Sequence, residues 1–237
     1  MIEYDFGMKK RITLVIFLNL PALLGFSQTY VGARSGYNMS IINFKPWQDT
    51  KMVYRMGGDY GITVKHFDND YVGFQAELNY VERGYRQPYG EWEIFMHLNH
   101  YIELPMFLQG RFMYKGYFVH LNAGCYGAYL LWAEEGLNTT GEFDLKPYKI
   151  NILYDERFDF GLVGGFGLGK EFKWGTLQAD ARLFYGFADL FDHDYEEMPE
   201  ESRSTVESVS VSYYLNLSKL REQLTERKRR KTEIDNQ

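Results

Sequence analysis

The chain has 237 residues, with 20 Tyr, 18 Phe and 23 Gly against 6 Pro and a single Cys, and a formal charge of −6. That density of strand-forming aromatics and turn glycines predicts an all-β chain of one domain, and the lone cysteine excludes an internal disulfide. Seven Lys and Arg against four Asp and Glu give residues 218–237 a charge of +3, three against two give 1–27 a charge of +1, and 28–217 is left with −10. An acidic body with a basic end is not a nucleic-acid footprint.

Residues 1–27 read as an export signal. Lys9, Lys10 and Arg11 form its basic start, 12–26 an apolar run broken by Asn19 and Pro21, and Gly25, Phe26 and Ser27 a small-x-small cleavage site before Gln28. The run is too short and interrupted to cross about 30 Å of hydrocarbon as a helix. Residues before Met8 fit no part of this pattern and read as an upstream extension of the start. After Gln28 no apolar run approaches about 18 residues, so a helical membrane protein is excluded.

From Gln28 onward apolar and polar residues alternate, the mark of β-strands. Val31, Ala33, Tyr37, Met39 and Ile41 alternate with Gly32, Arg34, Gly36, Asn38 and Ser40. Met56, Tyr60, Ile62 and Val64 then alternate with Gly57, Asp59, Gly61, Thr63 and Lys65. After a turn at Asp68, Asn69 and Asp70, the row Val72, Phe74, Ala76, Leu78 and Tyr80 opposes Gly73, Gln75, Glu77, Asn79 and Arg83. Leu98, Ile102, Leu104, Met106 and Leu108 oppose Asn99, Tyr101 and Glu103, and Pro105 predicts a bulge in this strand. Val119, Leu121, Ala123, Cys125 and Tyr129 oppose His120, Asn122, Gly124 and Tyr126, which makes Cys125 a small hydrophobe in an apolar row. Phe158, Phe160, Leu162, Phe166 and Leu168 oppose Asp159, Gly161, Gly165 and Gly167. Leu177, Ala179, Ala181, Leu183, Tyr185 and Phe187 oppose Gln178, Asp180 and Arg182. Val209, Val211, Tyr213 and Leu215 close the series against Ser208, Ser210, Ser212 and Asn216.

About eight strands result, joined alternately by short links, at 68–70, 113–116 and 173–175, and long ones, at 43–51, 87–95, 133–156 and 190–206. Short turns at one end and long loops at the other are the pattern of an outer-membrane barrel, with the N-terminus and the short turns in the periplasm. A lipocalin-like soluble barrel is the rival, but it lacks support here: there is no Gly-x-Trp opening the first strand, no disulfide pair, and no helix-period segment before the tail. The expected fold is therefore an eight-stranded antiparallel up-and-down transmembrane β-barrel over 28–217, its apolar rows facing outer-membrane lipid, with a short basic periplasmic tail at 218–237. Glu77 and Arg83 then face the lumen, because Arg on the lipid face near the midplane costs about 2–4 kcal/mol and Glu somewhat less.

Four segments, "FQAELNYVERGY", "LNHYIELPMFL", "FDFGLVGGFGLG" and "LQADARLFYGFADL", make the chain similar to the PorT-like outer-membrane β-barrel family. The family's Glu-Leu-x-Tyr strand and basic-Gly corner match Glu77, Leu78, Asn79, Tyr80, Arg83 and Gly84. Its Tyr-x-Glu-x-Pro strand matches Tyr101, Ile102, Glu103, Leu104 and Pro105. The resemblance covers 30–217 and implies a small barrel of the OmpA and OmpX kind with a side-chain-filled interior, one branch of the family assisting a protein-secretion system. The tail departs from this pattern: barrels of this class often end at the last aromatic strand residue, whereas about twenty residues follow Tyr213, Tyr214 and Leu215.

The candidate site is the set of charges on the polar rows: Arg34, Asp59, Glu77, Arg83, Glu103, Asp180 and Arg182. In a barrel of about eight strands the interior is just wide enough for side chains, so these groups are expected to pair into a plug rather than line a pore. Proton or ion gating is the competing role. No histidine has a nucleophile and a carboxylate placed beside it by the alternation, so no catalytic residue and no cofactor is expected. His97 and His100 are placed near the external rim. The acidic stretch 189–201 could offer oxygen ligands to calcium, but without a calcium loop's glycine spacing it reads as a solvated loop, and no metal is expected. Trp47, Trp92 and Trp132 read as an aromatic girdle or a partner-binding surface. Leu220 and Leu224 with the basic run 227–231 allow a short helix, although composition favours disorder there. Partners beyond lipid are envelope or secretion-system proteins met through the external loops or the tail. The function these features imply is a structural or interaction barrel, with a secretion accessory or a narrow solute channel as alternatives.

Overall fold

The computed structural model describes residues 28–45, 53–89, 93–138, 143–150, 156–189 and 201–235. Residues 1–27, expected to direct export, Trp47, Trp92 and the acidic stretch 190–200 lie outside them.

Among the described residues nine strands follow one another: β1 (Gln28–Lys45), β2 (Arg55–Phe67), β3 (Val72–Tyr89), β4 (Glu93–Tyr114), β5 (Tyr117–Asn138), β6 (Lys146–Tyr148), β7 (Phe158–Glu171), β8 (Thr176–Asp189) and β9 (Glu201–Asn216). Every neighbour pair is antiparallel, and the order β4-β3-β2-β1-β9-β8-β7-β5 closes on itself through β4 and β5. Eight strands thus form the ring. The three-residue β6 pairs with Ala133, Glu134 and Glu135 of β5, along the edge that β7 leaves free above Tyr129. Closure leaves the ring no edge strand, the condition for a sheet in lipid.

The polar rows point inward throughout. Arg34, Asp59, Glu77, Asn79, Gln109, Asn122, Gln178 and Ser212 are buried, while their strand neighbours Ile62, Leu108, Leu121, Leu162, Leu168 and Val209 are exposed on the outer wall. Exposed Phe112, Tyr114, Tyr117 and Trp174 ring the short-turn end, and exposed Tyr37, Tyr60, Tyr129, Phe160 and Tyr185 ring the loop end. From Tyr117 to Tyr129 a strand tilted by about 40° rises roughly 30 Å, the thickness of a hydrocarbon core. At the short-turn end the β4–β5 link is a two-residue hairpin turn in which Lys115 and Gly116 both have positive φ, 50° and 81°, the twist-matched geometry of tight hairpins.

Several expectations are corrected. Pro105 makes no bulge: it stays in register with Tyr126 of β5, and the β3–β4 ladder merely lapses between Ala76–Met106 and Asn79–Glu103, where proline has no N–H to give. The bulge lies instead at His100/Tyr101, opposite an extra residue, Leu131, in β5. Leu98 is buried rather than lipid-facing, on a stretch of β4, 96–101, that is covered on both sides, and His97 and His100 are buried with it. The link read as long at 87–95 is largely strand among its described residues, and the one at 133–156 begins as strand to Asn138, because β3, β4 and β5 continue past the hydrocarbon, where polar residues on both faces hide the alternation. The tail is helical rather than disordered: α1 runs Leu217–Asp235. It is rich in the strong helix formers Leu, Lys, Arg, Glu and Gln, and Asn216 caps it by accepting a hydrogen bond from the Lys219 N–H at 3.0 Å.

Candidate functional site

The lumen is built around Glu77 on β3. Its carboxylate takes the Arg34 guanidinium from β1 at 2.6 Å and both terminal nitrogens of Arg182 from β8 at 2.8 and 3.0 Å. It also accepts hydrogen bonds from Gln75 at 2.5 Å and Asn79 at 3.1 Å. Two long cations reach a carboxylate across the barrel because the wall between them is shallow. β9 lies between β1 and β8 and at the level of these two cations presents Ser208, Ser210 and Ser212 inward. Large residues on one arc are thus matched by small ones on the next.

Each cation has a second partner. Arg34 is 2.8 Å from Asp59, and Arg182 is 3.4 Å from Asp180. Asp180 in turn lies 2.9 Å from His120 and accepts from Asn122 and Gln178. Gln109 bridges Gln75 and Asn122, which links the two carboxylate centres through amides. All of these side chains are buried.

Toward the loop end, a second centre has Arg83 paired with Glu103 and, at 3.2 Å, with Asp159, which also accepts the Tyr126 hydroxyl hydrogen at 3.0 Å. The Arg83 guanidinium stands 5.2–5.7 Å from the rings of Tyr101, Tyr126 and Phe184. Those rings belong to an apolar cluster with Phe107, Ala128, Leu130, Val163 and Val206, and Ile150 packs against it. A cavity of about 20 Å³ beside Arg83, Asn99 and Ser202 has room for about one water molecule.

Toward the short turns, Tyr30, Phe67 and Tyr214 form an apolar floor. Lys65 lies over the Tyr214 ring at 3.6 Å and donates to Gln178 at 2.5 Å. Arg111 lies over Phe67 at 3.9 Å, 3.5 Å from Glu171.

Six cations, Arg34, Arg55, Lys65, Arg83, Arg111 and Arg182, and five carboxylates, Asp59, Glu77, Glu103, Asp159 and Asp180, are buried. Partly buried Glu82 and Glu171 stand beside Arg55 and Arg111. The charges compensate locally, so among the described residues the interior has no ring of one sign such as selects ions in a channel. Two apolar layers, one toward each end, bracket the charged centre, and apolar constrictions resist wetting.

Of the seven residues picked from the alternation, Arg34, Asp59, Glu77, Asp180 and Arg182 meet in one network and Arg83 and Glu103 in the other. Lys65, Arg111, Asp159 and His120 belong to the same interior and were not picked, although Lys65, Asp159 and His120 sit on the polar rows. His97 and His100 do not line the lumen's charged centre. His100 stacks between Tyr80 and Trp132 at the loop end, and His97 stacks on Tyr85. Hydroxyls meet imidazoles at Tyr80, whose hydroxyl is 2.5 Å from His100 Nδ1, and at Thr29, whose Oγ1 is 3.0 Å from His66 Nδ1. Nε2 of His66 lies 3.3 Å from the exposed Asp68 carboxylate of the β2–β3 turn without making a hydrogen bond to it, and the Thr29–His66 pair joins β1 to β2. Among the described residues no group of three His, Cys, Asp or Glu could hold a metal ion.

Comparison with known proteins matches residues 26–192 to a family model described as an outer membrane protein β-barrel domain. Similar solved structures include Ail of Yersinia pestis, 12% identical over 79% of this chain and 99% of that one, with a TM-score of 0.41. Neisserial surface protein A is 13% identical over 78% and 95%, with a TM-score of 0.42. OprG of Pseudomonas aeruginosa is 11% identical over 81% and 99%, also with a TM-score of 0.42. No curated protein matches the chain.

Proposed function

Because the chain belongs to the outer membrane protein β-barrel domain family, a family of bacterial outer-membrane barrels rather than enzymes, we propose that it acts there as a closed structural or interaction barrel. The observation that carries this is the filled lumen: Glu77, held by two guanidiniums and two amides, occupies the middle of the barrel, and apolar clusters lie on either side of it. With the interior committed to packing, the surfaces left for partners are the loop end and the tail.

In this reading 1–27 directs export, 28–217 is the barrel, the short turns and the tail face the periplasm, and the loop end faces outward. The Glu-Leu-x-Tyr and Tyr-x-Glu-x-Pro strands favour the PorT-like branch, for which a secretion accessory is the finer role. The walls of β4 and β5, 22 residues each against the 9–11 that cross a bilayer, support it by standing well clear of the membrane as a contact surface.

A narrow solute channel is the competing role. Liposome swelling tests between them, with a heat-modifiability gel to show that the barrel is folded. Swelling no faster than in empty liposomes, for solutes as small as glycerol, is the expected result. Swelling by the folded barrel that Glu77→Gln alters would replace the closed barrel with the channel.

A further inference from the structure

Helix α1 has features that a closed lumen does not require. Its first turn is fixed to the short-turn rim: the Thr29 N–H donates to Ser218 Oγ at 3.3 Å, and Lys219 Nζ lies 4.0 Å from Glu171. Leu217 and Leu220, three residues apart and so on one face of the helix, are 39% and 46% exposed. They follow directly on the outward row of Val209, Val211 and Leu215 in β9, which faces lipid. Further along come five consecutive cations at 227–231, of which Arg227, Arg229 and Arg230 are exposed, as is Arg221 nearer the rim.

We propose that α1 lies along the bilayer leaflet at the short-turn end, with Leu217 and Leu220 set into its interface and the basic run against anionic phospholipid headgroups. This rests on the reading of the chain as a membrane barrel, and it adds a partner that the barrel wall alone does not name. Continuity with the lipid-facing row accounts for the exposed leucines, and charge complementarity accounts for the cations. A helix standing away from the rim would leave both leucines in water. It would also carry the cations about 15–21 Å from the headgroups, roughly two Debye lengths at physiological salt.

The test uses the full chain refolded in nanodiscs, which expose both faces of the bilayer. Discs of phosphatidylcholine alone are compared with discs containing about one-third phosphatidylglycerol, and tryptic cleavage after Arg221 is followed by mass spectrometry. A heat-modifiability gel reports the barrel separately, so a misfolded barrel is not mistaken for a free tail. Each cation held near an anionic surface multiplies binding roughly fivefold, so the three exposed arginines predict cleavage at least about tenfold slower on the anionic discs at low salt. About 0.5 M salt should abolish the difference, as should the triple variant R227Q/R229Q/R230Q, which keeps Arg221 and leaves the sequence of the barrel unchanged. Equal cleavage on both disc types, or a difference that the triple variant retains, overturns the proposal. The first of these results would assign the basic run to a soluble polyanion or an acidic protein surface instead.

Discussion

Replacing Glu77 with Gln removes the one negative charge on which both Arg34 and Arg182 converge. The side chain has no solvent exposure, and neither has either guanidinium, so water cannot screen the loss. Breaking a buried ion pair by deleting one partner costs about 3–5 kcal/mol, since the other charge stays buried without compensation. Here Arg34 keeps Asp59 at 2.8 Å and Arg182 keeps Asp180 at 3.4 Å, which puts the expected cost at the lower end, about 3 kcal/mol. That is a change of more than a hundredfold in the folded-to-unfolded ratio. Urea unfolding of the refolded barrel in lipid vesicles, followed by tryptophan fluorescence and by gel mobility, measures it. The double variant Glu77→Leu with Arg182→Met should recover part of the loss, because a buried pair exchanged for apolar groups of similar size is often nearly neutral. An E77Q barrel within about 0.5 kcal/mol of the parent, the range of ordinary surface substitutions, would mean that Glu77 is hydrated and that the lumen is not packed around it.

Three other expectations follow from the wall. Ala123→Arg places a charge on the outward row of β5, midway between the two aromatic rings, and should cost about 2–4 kcal/mol in the same unfolding assay; a neutral result would put that row somewhere other than in lipid. Gly124→Val should prevent folding, since a Cβ at that position would overlap the Met106 carbonyl oxygen of β4, whereas Gly110→Ala, with open space beside it, should fold like the parent; gel mobility after refolding distinguishes the pair. Cys125 is exposed on the outer wall, so in vesicles a water-soluble maleimide should label it only after unfolding, while rapid labelling of the folded barrel would mean that this face meets water.

The barrel was legible because lipid and a polar lumen are opposite solvents: wherever a strand crosses between them, its residues alternate. Ile62 and Thr63, or Leu121 and Asn122, show this without any structure. The signal fades where both sides are wet, which is why Gln87, Pro88 and Tyr89 read as loop although β3 continues through them. The interior charges could be named, since charge on a polar row is enough to place a residue inside. Their pairing could not, because Glu77 meets Arg182 only through ring closure and strand stagger, over a separation of 105 residues. Lys65 and Asp159 carry the same signal, a charge on a polar row, and lie in the same interior. Arg111 has no such clear row, as it sits at the end of β4 beneath the short turns. Pro105 shows a local rule yielding to the sheet: a missing N–H opens a gap in one ladder, while the other neighbour, β5, holds the register. In the tail, the spacing of Leu220 and Leu224 allows a helix, but the high charge density favours disorder. The contacts at Ser218 and Lys219 anchor the first turn to the rim.

Single-channel recording of the refolded barrel in planar bilayers, beside a gel that shows it folded, tests most directly whether the lumen is closed. The packed network predicts no steady conductance from the parent chain, and discrete openings from a variant with Arg34, Glu77 and Arg182 all replaced by Ala. Steady openings from the folded parent would contradict the closed lumen and make the charges around Glu77 the lining of a conducting path.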